Sequence, residues 1–202
     1  MIVDGNMGKL ADNTGANVTA LGKVTVTAGS IGSTGEYVDF DLGVDAAFYV
    51  EATGDIYLNE MGALAKLEQL TATNGSIDLI SNDDLVLPDV LAGGSVKLDI
   101  QGELTVPTIT AGGDATVMAE TAQIGTADVT GKLTANVTGD MTINTATAGS
   151  LEVTAENLTV NTKLDVVDAA AITASGNAEI ATFEVTGTTA VDVEGTLTIG
   201  EA

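Results

Sequence analysis

Two stretches of the chain, LVLPDVLAGGSVKLDI at residues 85–100 and LTVPTITAGGDATVMA at residues 104–119, align almost column for column. A proline and a pair of glycines fall at the same positions in both. After each glycine pair, apolar and polar residues alternate, which is the pattern of a β-strand with one buried face. The alignment therefore predicts a repeat made of a short apolar doublet, a tight turn and a strand.

Apolar doublets extend this repeat over much of the chain. In five doublets two apolar residues are separated by one position, and Ile124 with Thr126 and Ile180 with Phe183 are weaker members. The first positions step by 17 to 22 residues: Leu85, Leu104, Ile124, Met141, Leu158, Ile180 and Leu197. A period of about 19 residues is too short for a two-helix repeat or a propeller blade. It suits one coil of a β-solenoid, in which about three short strands are joined by turns.

We therefore predict an all-β fold, a parallel β-helix or β-solenoid with roughly ten coils of about 19 residues, formed by residues 1–202 as a single domain. Apolar residues make up 45% of the chain and aromatic residues only 3%, so the interior is expected to be narrow and aliphatic. The alternative is an antiparallel β-sandwich, which also has short alternating strands. A sandwich does not usually repeat its turns and doublets in register.

Residues 32–70 depart from the repeat. Five of the six aromatic residues lie within 32–57, where we expect longer strands or a hairpin that widens or flanks the solenoid: Tyr37, Phe40, Phe48, Tyr49 and Tyr57. In GALAKLEQL, residues 62–70, leucine recurs every third residue. This spacing predicts a turn of helix in an enlarged corner, with a strand as the alternative.

The charge and the missing residue types exclude several classes of function. The formal net charge is -23, and the chain has no Cys, His, Trp or Arg. A thiol nucleophile, an imidazole base and a Cys/His metal site are therefore impossible. Nucleic acid is not expected as a partner, because binding it needs clustered positive charge. No apolar run approaches the roughly 20 residues of a membrane span. We predict no enzymatic activity and no cofactor.

Several repeat units resemble the filamentous-haemagglutinin-like repeats of large secreted bacterial adhesins: AKLEQLTATNGSIDL, DLVLPDVLAGGSVKLDI, ELTVPTITAGGDATV and KLTANVTGDMTINTATAGSLEV. The resemblance covers roughly residues 62–199. It implies a right-handed β-helix, export to the cell surface and use as a stalk or adhesive shaft, and it transfers no catalytic residue. We expect a non-enzymatic shaft segment in an extracellular or cell-surface protein, whose partner is a glycan or protein on a host or neighbouring cell.

A second hypothesis is a self-assembling subunit of an extracellular filament or sheath. The last strand, GTLTIGEA, stops inside the repeat pattern. An uncovered coil presents unpaired backbone groups that invite another chain. The hypothesis therefore predicts head-to-tail self-association through the ends of the solenoid.

A third hypothesis is a glycan-binding or glycan-cleaving β-helix. Tyr37, Tyr49 and Tyr57 are candidates for stacking on sugars, and Asp83 or Asp84 is the candidate acid or base. The structural alternative for the two aspartates is a polar turn before the next strand. The histidine, arginine and lysine motifs that accompany such carboxylates in polysaccharide hydrolases are missing here.

The stretch DFDLGVD contains the candidate ligands for calcium, Asp39, Asp41 and Asp45. Their alternating carboxylates supply the oxygen ligands that calcium uses. The spacing departs from the EF-hand loop, and alternation around Val38, Phe40 and Leu42 also explains the aspartates as the outward face of a strand.

Overall fold

A computed structural model of the chain describes residues 7–8, 18–20, 22–42, 47–61 and 66–201. These residues contain no helix, and every pairing between named strands is parallel. The strands are β1 (Val18–Ala20), β2 (Val24–Ala28), β3 (Val38–Leu42), β4 (Ala47–Ala52), β5 (Ile56–Glu60), β6 (Lys66–Ala72), β7 (Ile77–Ser81), β8 (Leu85–Val86), β9 (Val90–Ala92), β10 (Val96–Ile100), β11 (Glu103–Ala111), β12 (Ala115–Ala119), β13 (Thr121–Val137), β14 (Asp140–Ala155), β15 (Asn157–Val166), β16 (Ala169–Ala174), β17 (Ala178–Val185), β18 (Thr188–Val193) and β19 (Leu197–Glu201).

The strands stack into three ladders, which we name faces A, B and C. Face A contains β2, β4, β6, β9 and residues 108–111, 126–129, 145–148, 163–166 and 183–185. Face B contains β1, β3, β5, β7, β10, β12, residues 133–137 and 150–155, β16 and β18. Face C contains β8, residues 103–106, 121–124, 140–143, 157–160 and 178–180, and β19.

From β8 onward the chain passes through faces C, A and B in turn, so each circuit of the three faces is one coil; before β8 the described strands alternate between faces B and A. One inward column of face A has one residue in each coil, and its nine residues therefore correspond to nine coils: Ala28, Ala52, Ala72, Ala92, Ala111, Val129, Ala148, Val166 and Val185. From Ala72 onward they are 18 to 20 residues apart. The predicted β-solenoid is confirmed, and the parallel pairing rules out the antiparallel sandwich.

The interior is a stack of aliphatic rows. One inward column of face B runs through five fully buried side chains on successive coils: Leu58, Leu79, Leu98, Val117 and Ala135. Alternate residues of each strand point outward, so the burial pattern of β10 and β12 has the period of two that the sequence predicts. Burying these side chains supplies the main favourable term for stacking the coils.

The corner glycines let the coils approach each other closely. Gly93 and Gly112 occupy equivalent turns of adjacent coils, and a Cβ atom on Gly112 would overlap the carbonyl oxygen of Gly93. Backbone hydrogen bonds connect the same turns, from Gly112 N to Ala92 O at 3.0 Å and from Gly113 N to Gly94 O at 2.9 Å. The glycine pair seen in the sequence is therefore a requirement of coil stacking.

The aromatic region is part of the solenoid. β3 pairs in parallel with β5, and β4 pairs in parallel with β2 and β6, so these strands form no hairpin. Phe40 and Phe48 point inward, fully buried, with ring centroids 5.1 Å apart. The interior of the first coils is thus wide enough for two phenylalanine rings. The predicted longer strands are not formed, because β3, β4 and β5 have five or six residues, and the antiparallel pairing that the structure describes in this region is a single bridge between Ser33 and Glu36.

The predicted turn of helix within residues 62–70 is wrong where the structure describes it. Residues 66–72 form strand β6, and both Leu67 and Leu70 are buried against the core. A register shift opposite Phe48 and Tyr49 makes this possible, because the irregularity brings two leucines three positions apart to the same side. Leu64 lies outside the described residues.

Two of the doublets predicted from the sequence begin at the wrong residue. Ile124 pairs with Val106, the second member of its doublet, and Ala122 pairs with Leu104, the first. In the same way Ile180 pairs with Val160 and Ala178 with Leu158. In both doublets the first inward residue is an alanine, which is less conspicuous in the sequence than Ile, Leu or Met. The predicted doublets therefore begin two residues too late.

Candidate functional site

Side-chain oxygens form hydrogen-bonded ladders at the corners of the solenoid. Between faces A and B, each accepts a hydrogen bond from the backbone N–H one coil further on: Asp55 from Ser76 at 2.8 Å, Ser76 from Ser95 at 3.0 Å, Ser95 from Asp114 at 3.2 Å and Asp114 from Lys132 at 2.8 Å. These bonds satisfy turn amides that the strand ladders leave without partners. Polar corner residues therefore connect the coils.

Asp84, a candidate acid or base, belongs to a similar ladder between faces B and C. Its Oδ1 accepts a hydrogen bond of 2.8 Å from the backbone N–H of Glu103. Asp83 is exposed, and its backbone bonds to the Ser81 hydroxyl: the Asp83 N–H donates to Ser81 Oγ at 3.3 Å, and Ser81 Oγ lies 3.1 Å from the Asp83 carbonyl oxygen. The structure thus places both aspartates in a corner turn and assigns Asp84 a definite structural contact.

Tyr37 and Tyr57 come together at the start of face B. Their rings meet edge to face with centroids 5.8 Å apart. The Tyr37 hydroxyl donates to Asp78 Oδ2 at 2.7 Å, and Lys97 Nζ lies 3.4 Å from Asp78 Oδ1. The Tyr57 hydroxyl is 3.1 Å from Thr34 Oγ1. The hydroxyls of both rings are thus engaged within the protein, and the contacts from Tyr37 to Lys97 link four successive coils.

The environment of Tyr37 raises the pKa of its phenol well above the usual value. Burial is the largest cause, followed by the hydrogen bond to Asp78 and then by electrostatic interactions with Asp78, Tyr57 and Asp99. All of these favour the neutral phenol. Tyr37 is therefore a hydrogen-bond donor to Asp78 over the physiological range of pH.

Tyr49, the third tyrosine of the glycan hypothesis, lies elsewhere. It points outward from face A, and Lys23 Nζ is 4.1 Å from its ring centroid. This is the geometry of a cation–π contact. The three tyrosines therefore do not form one sugar-stacking platform.

The calcium candidates are only partly described. Asp39 and Asp41 both lie on β3, and Asp45 lies outside the described residues. Asp39 is 5% exposed and accepts a hydrogen bond of 2.8 Å from Asn59 Nδ2, whereas Asp41 is exposed. Within the part of the chain that the structure describes, no three acidic residues group in a way that could hold a metal ion.

A groove runs along the corner where face B turns into face C, and sequence reasoning missed it. Two adjoining cavities of about 550 and 290 Å³ share Asn136 and Thr138. At the bottom of the groove lie three residues of face B whose side chains point inward and are buried in the core: Ala119, Val137 and Ala155. Outward residues on either side of this column form the walls: Met118, Asn136, Thr154 and Thr173 on face B, and Gln101, Glu120, Thr138, Glu156 and Ser175 at the corner.

The amides in this groove differ from the other amides nearby. From residue 101 onward, the remaining Asn and Gln side chains bond to neighbouring coils: Gln123, Asn144, Asn157, Asn161 and Asn177. Gln101 and Asn136 form no side-chain hydrogen bond with any described residue, and both line the groove. These two residues are 35 positions apart. No local motif connects them, so only the coil stacking reveals that they belong to one surface.

No protein-family model, no curated protein and no solved structure matches the chain. The described residues also contain no helix long and apolar enough to cross a membrane.

Proposed function

We propose that the chain is a non-enzymatic shaft segment of a large secreted bacterial surface protein, with a structural or adhesive role. The stack of nine coils is the observation that carries this proposal. Eight steps between coils, at about 4.8 Å each, give a rod roughly 40 Å long from the described coils alone. A rod of this kind holds an attached domain away from a surface or presents a long lateral face.

The forces that hold the coils together run along the axis of the rod. Backbone hydrogen bonds join each strand to its equivalent in the next coil, and the corner ladders add side-chain bonds in the same direction. The net charge of -23 discourages lateral association of neighbouring rods. Axial bonding with a repulsive exterior suits a load-bearing shaft.

Small-angle scattering tests the rod in solution. We expect an elongated particle with a cross-section of one solenoid, unchanged between low and moderate protein concentration. A globular scattering profile would contradict the shaft. Export is tested separately, by locating the protein in fractionated source cells, where recovery only from the cytoplasm would contradict a surface role.

The second candidate function that we propose is the subunit of an extracellular filament. Leu197 pairs with Ala178 in an inward column of face C, yet it is 43% exposed. Val191 and Val193 also continue inward columns of face B and are partly exposed. A second copy that stacks on β18 and β19 would cover these side chains. Electron microscopy at increasing protein concentration distinguishes the two candidates, because only the subunit grows into filaments.

A further inference from the structure

The groove between faces B and C has the dimensions of a site for an extended ligand. One wall follows four coils through the register pairs Met118–Asn136, Asn136–Thr154 and Thr154–Thr173. Three steps of about 4.8 Å make this wall roughly 14 Å long. The groove is parallel to the axis of the rod, so a linear chain can contact several coils at once.

The groove also has a distinct chemistry on a strongly acidic protein. Its polar lining consists mainly of amides and hydroxyls, those of Gln101, Asn136, Thr154, Thr173 and Ser175. None of these five side chains bonds to another described residue, and all five are exposed. Amides donate and accept hydrogen bonds, as hydroxyls do. The side chains available to a ligand are therefore uncharged groups of both hydrogen-bonding kinds.

Two glutamates, Glu120 and Glu156, are the charged residues of the lining. Their carboxylates accept hydrogen bonds from hydroxyl groups and repel anionic ligands. A polycation has no reason to prefer this groove, because the whole exterior is acidic. The lining selects for a ligand that is neutral and rich in hydroxyl groups.

A second groove provides a contrast on the same face. It has a volume of about 400 Å³ and lies at the corner between faces A and B, where the ion pair of Lys132 and Glu152 contributes to its lining. Its charged groups are already paired with each other. The groove between faces B and C has free hydrogen-bonding groups instead.

We propose that the groove between faces B and C binds a neutral polysaccharide segment along the rod axis. This inference rests on the proposed adhesive role and names the partner of that role. The ligand hydroxyls bond to Asn136, Thr154 and Thr173 on one wall and to Gln101, Thr138 and the two glutamates on the other. The side chains of Ala119, Val137 and Ala155 point into the core, so the apolar contact to the C–H face of a sugar ring comes from the half-buried Met118 on one wall.

The test uses the full chain and an array of neutral oligosaccharides built from glucose, mannose, galactose or xylose, with oligogalacturonate and oligolysine as charged probes. Calorimetry measures the affinity of each hit. We expect binding of at least one neutral oligosaccharide and none of oligogalacturonate. Each lost hydrogen bond corresponds to about a twofold to tenfold weaker affinity, so the double variant Asn136→Ala/Thr154→Val is expected to bind about tenfold more weakly.

Thr126→Val is the matched control, because Thr126 is an exposed threonine on face A and forms no bond with a described residue. We expect it to bind like the original chain. No binding of any neutral oligosaccharide, or equal binding by the double variant, would overturn the groove assignment. Scattering on the same samples separates the two proposals: a rod that binds no glycan contradicts the groove alone, and a globular particle contradicts the shaft.

Discussion

The first coils of the solenoid and the coils from residue 96 onward fill the interior with different kinds of side chain. In the later coils, the interior consists almost entirely of Ala, Val, Ile, Leu and Met, and successive coils differ in length by one or two residues. The coils up to residue 61 contain Phe40 and Phe48 in the core, the buried acid Glu60, and a step of 24 residues between Ala28 and Ala52. The regular coils have similar cores and lengths, whereas the irregular coils contain buried side chains that do not recur in the later coils.

This comparison predicts that Phe40→Ala has the largest effect of the variants considered. Phe40 is fully buried and packs against Phe48, so truncation leaves a large cavity and costs about 3–5 kcal/mol of unfolding free energy. Because each coil contacts only its neighbours, the loss is expected to be local. Hydrogen exchange should accelerate within residues 38–60 and stay slow within 115–174. Uniform acceleration along the whole chain would contradict independent coils.

Gly112→Ala tests the packing between adjacent coils in the regular region, the coils from residue 96 onward. The added methyl overlaps the backbone carbonyl of Gly93, which cannot rotate away, so the two turns must separate. We expect a loss of about 1–3 kcal/mol, the usual cost of overpacking. Gly22→Ala is the control, because nothing lies within 4 Å of its added methyl, and its effect should stay within about 0.5 kcal/mol. Equal denaturation midpoints for the two variants would show that corner glycines do not limit coil stacking.

The same contrast explains how far the sequence could predict the fold. Where the inward residues are large aliphatics, as at Leu85 and Leu104, spacing alone gives the period and the face. Where alanine occupies the inward position, as at Ala122, the predicted start of the doublet lies two residues too late. In β6 the buried leucines have the spacing of a helix because the pairing with β4 is irregular. This irregularity involves the neighbouring strand, so the local sequence does not reveal it.

The candidate site was harder to predict than the fold. Tyr37 and Tyr57 stand out in the sequence because aromatic residues are rare, and the structure does bring them together. Gln101 and Asn136 have no such signal, since they are ordinary polar residues on different coils. Their importance depends on register and on the absence of a ladder partner among the described residues, and both are properties of the stack.

Ser81→Ala tests the buried polar contact of the irregular coils. Ser81 and Glu60 occupy one inward column, are 0% and 1% exposed, and are joined by a hydrogen bond of 3.1 Å from Ser81 Oγ to Glu60 Oε2. Removing the hydroxyl deprives a buried carboxyl group of a donor, at a cost of about 1–3 kcal/mol. Ser81→Thr keeps a hydroxyl and should recover part of the loss in chemical denaturation.

Ser150→Ala provides the control from the regular coils, because the Ser150 hydroxyl forms no hydrogen bond with a described residue and is only partly buried. We expect it to be nearly neutral. If Ser81→Ala were equally neutral, the buried acid would not depend on Ser81, and the distinction between the two regions would rest on the aromatic residues alone.

The smallest expected effect concerns the ionisation of Tyr37, which has no counterpart in the later coils. Burial, the Asp78 hydrogen bond and nearby negative charge raise its pKa in the folded chain above the value of about 10 for a free phenol. The folded state therefore holds this proton more tightly than the unfolded state. The resulting stabilisation is complete below pH 10 or so and is lost as the pH rises through the higher folded pKa. Phenolate absorbance should reveal one late ionisation that Tyr37→Phe removes and that Asp78→Asn shifts to lower pH. An unshifted titration in Asp78→Asn would mean that Asp78 does not control the phenol and that burial alone raises its pKa.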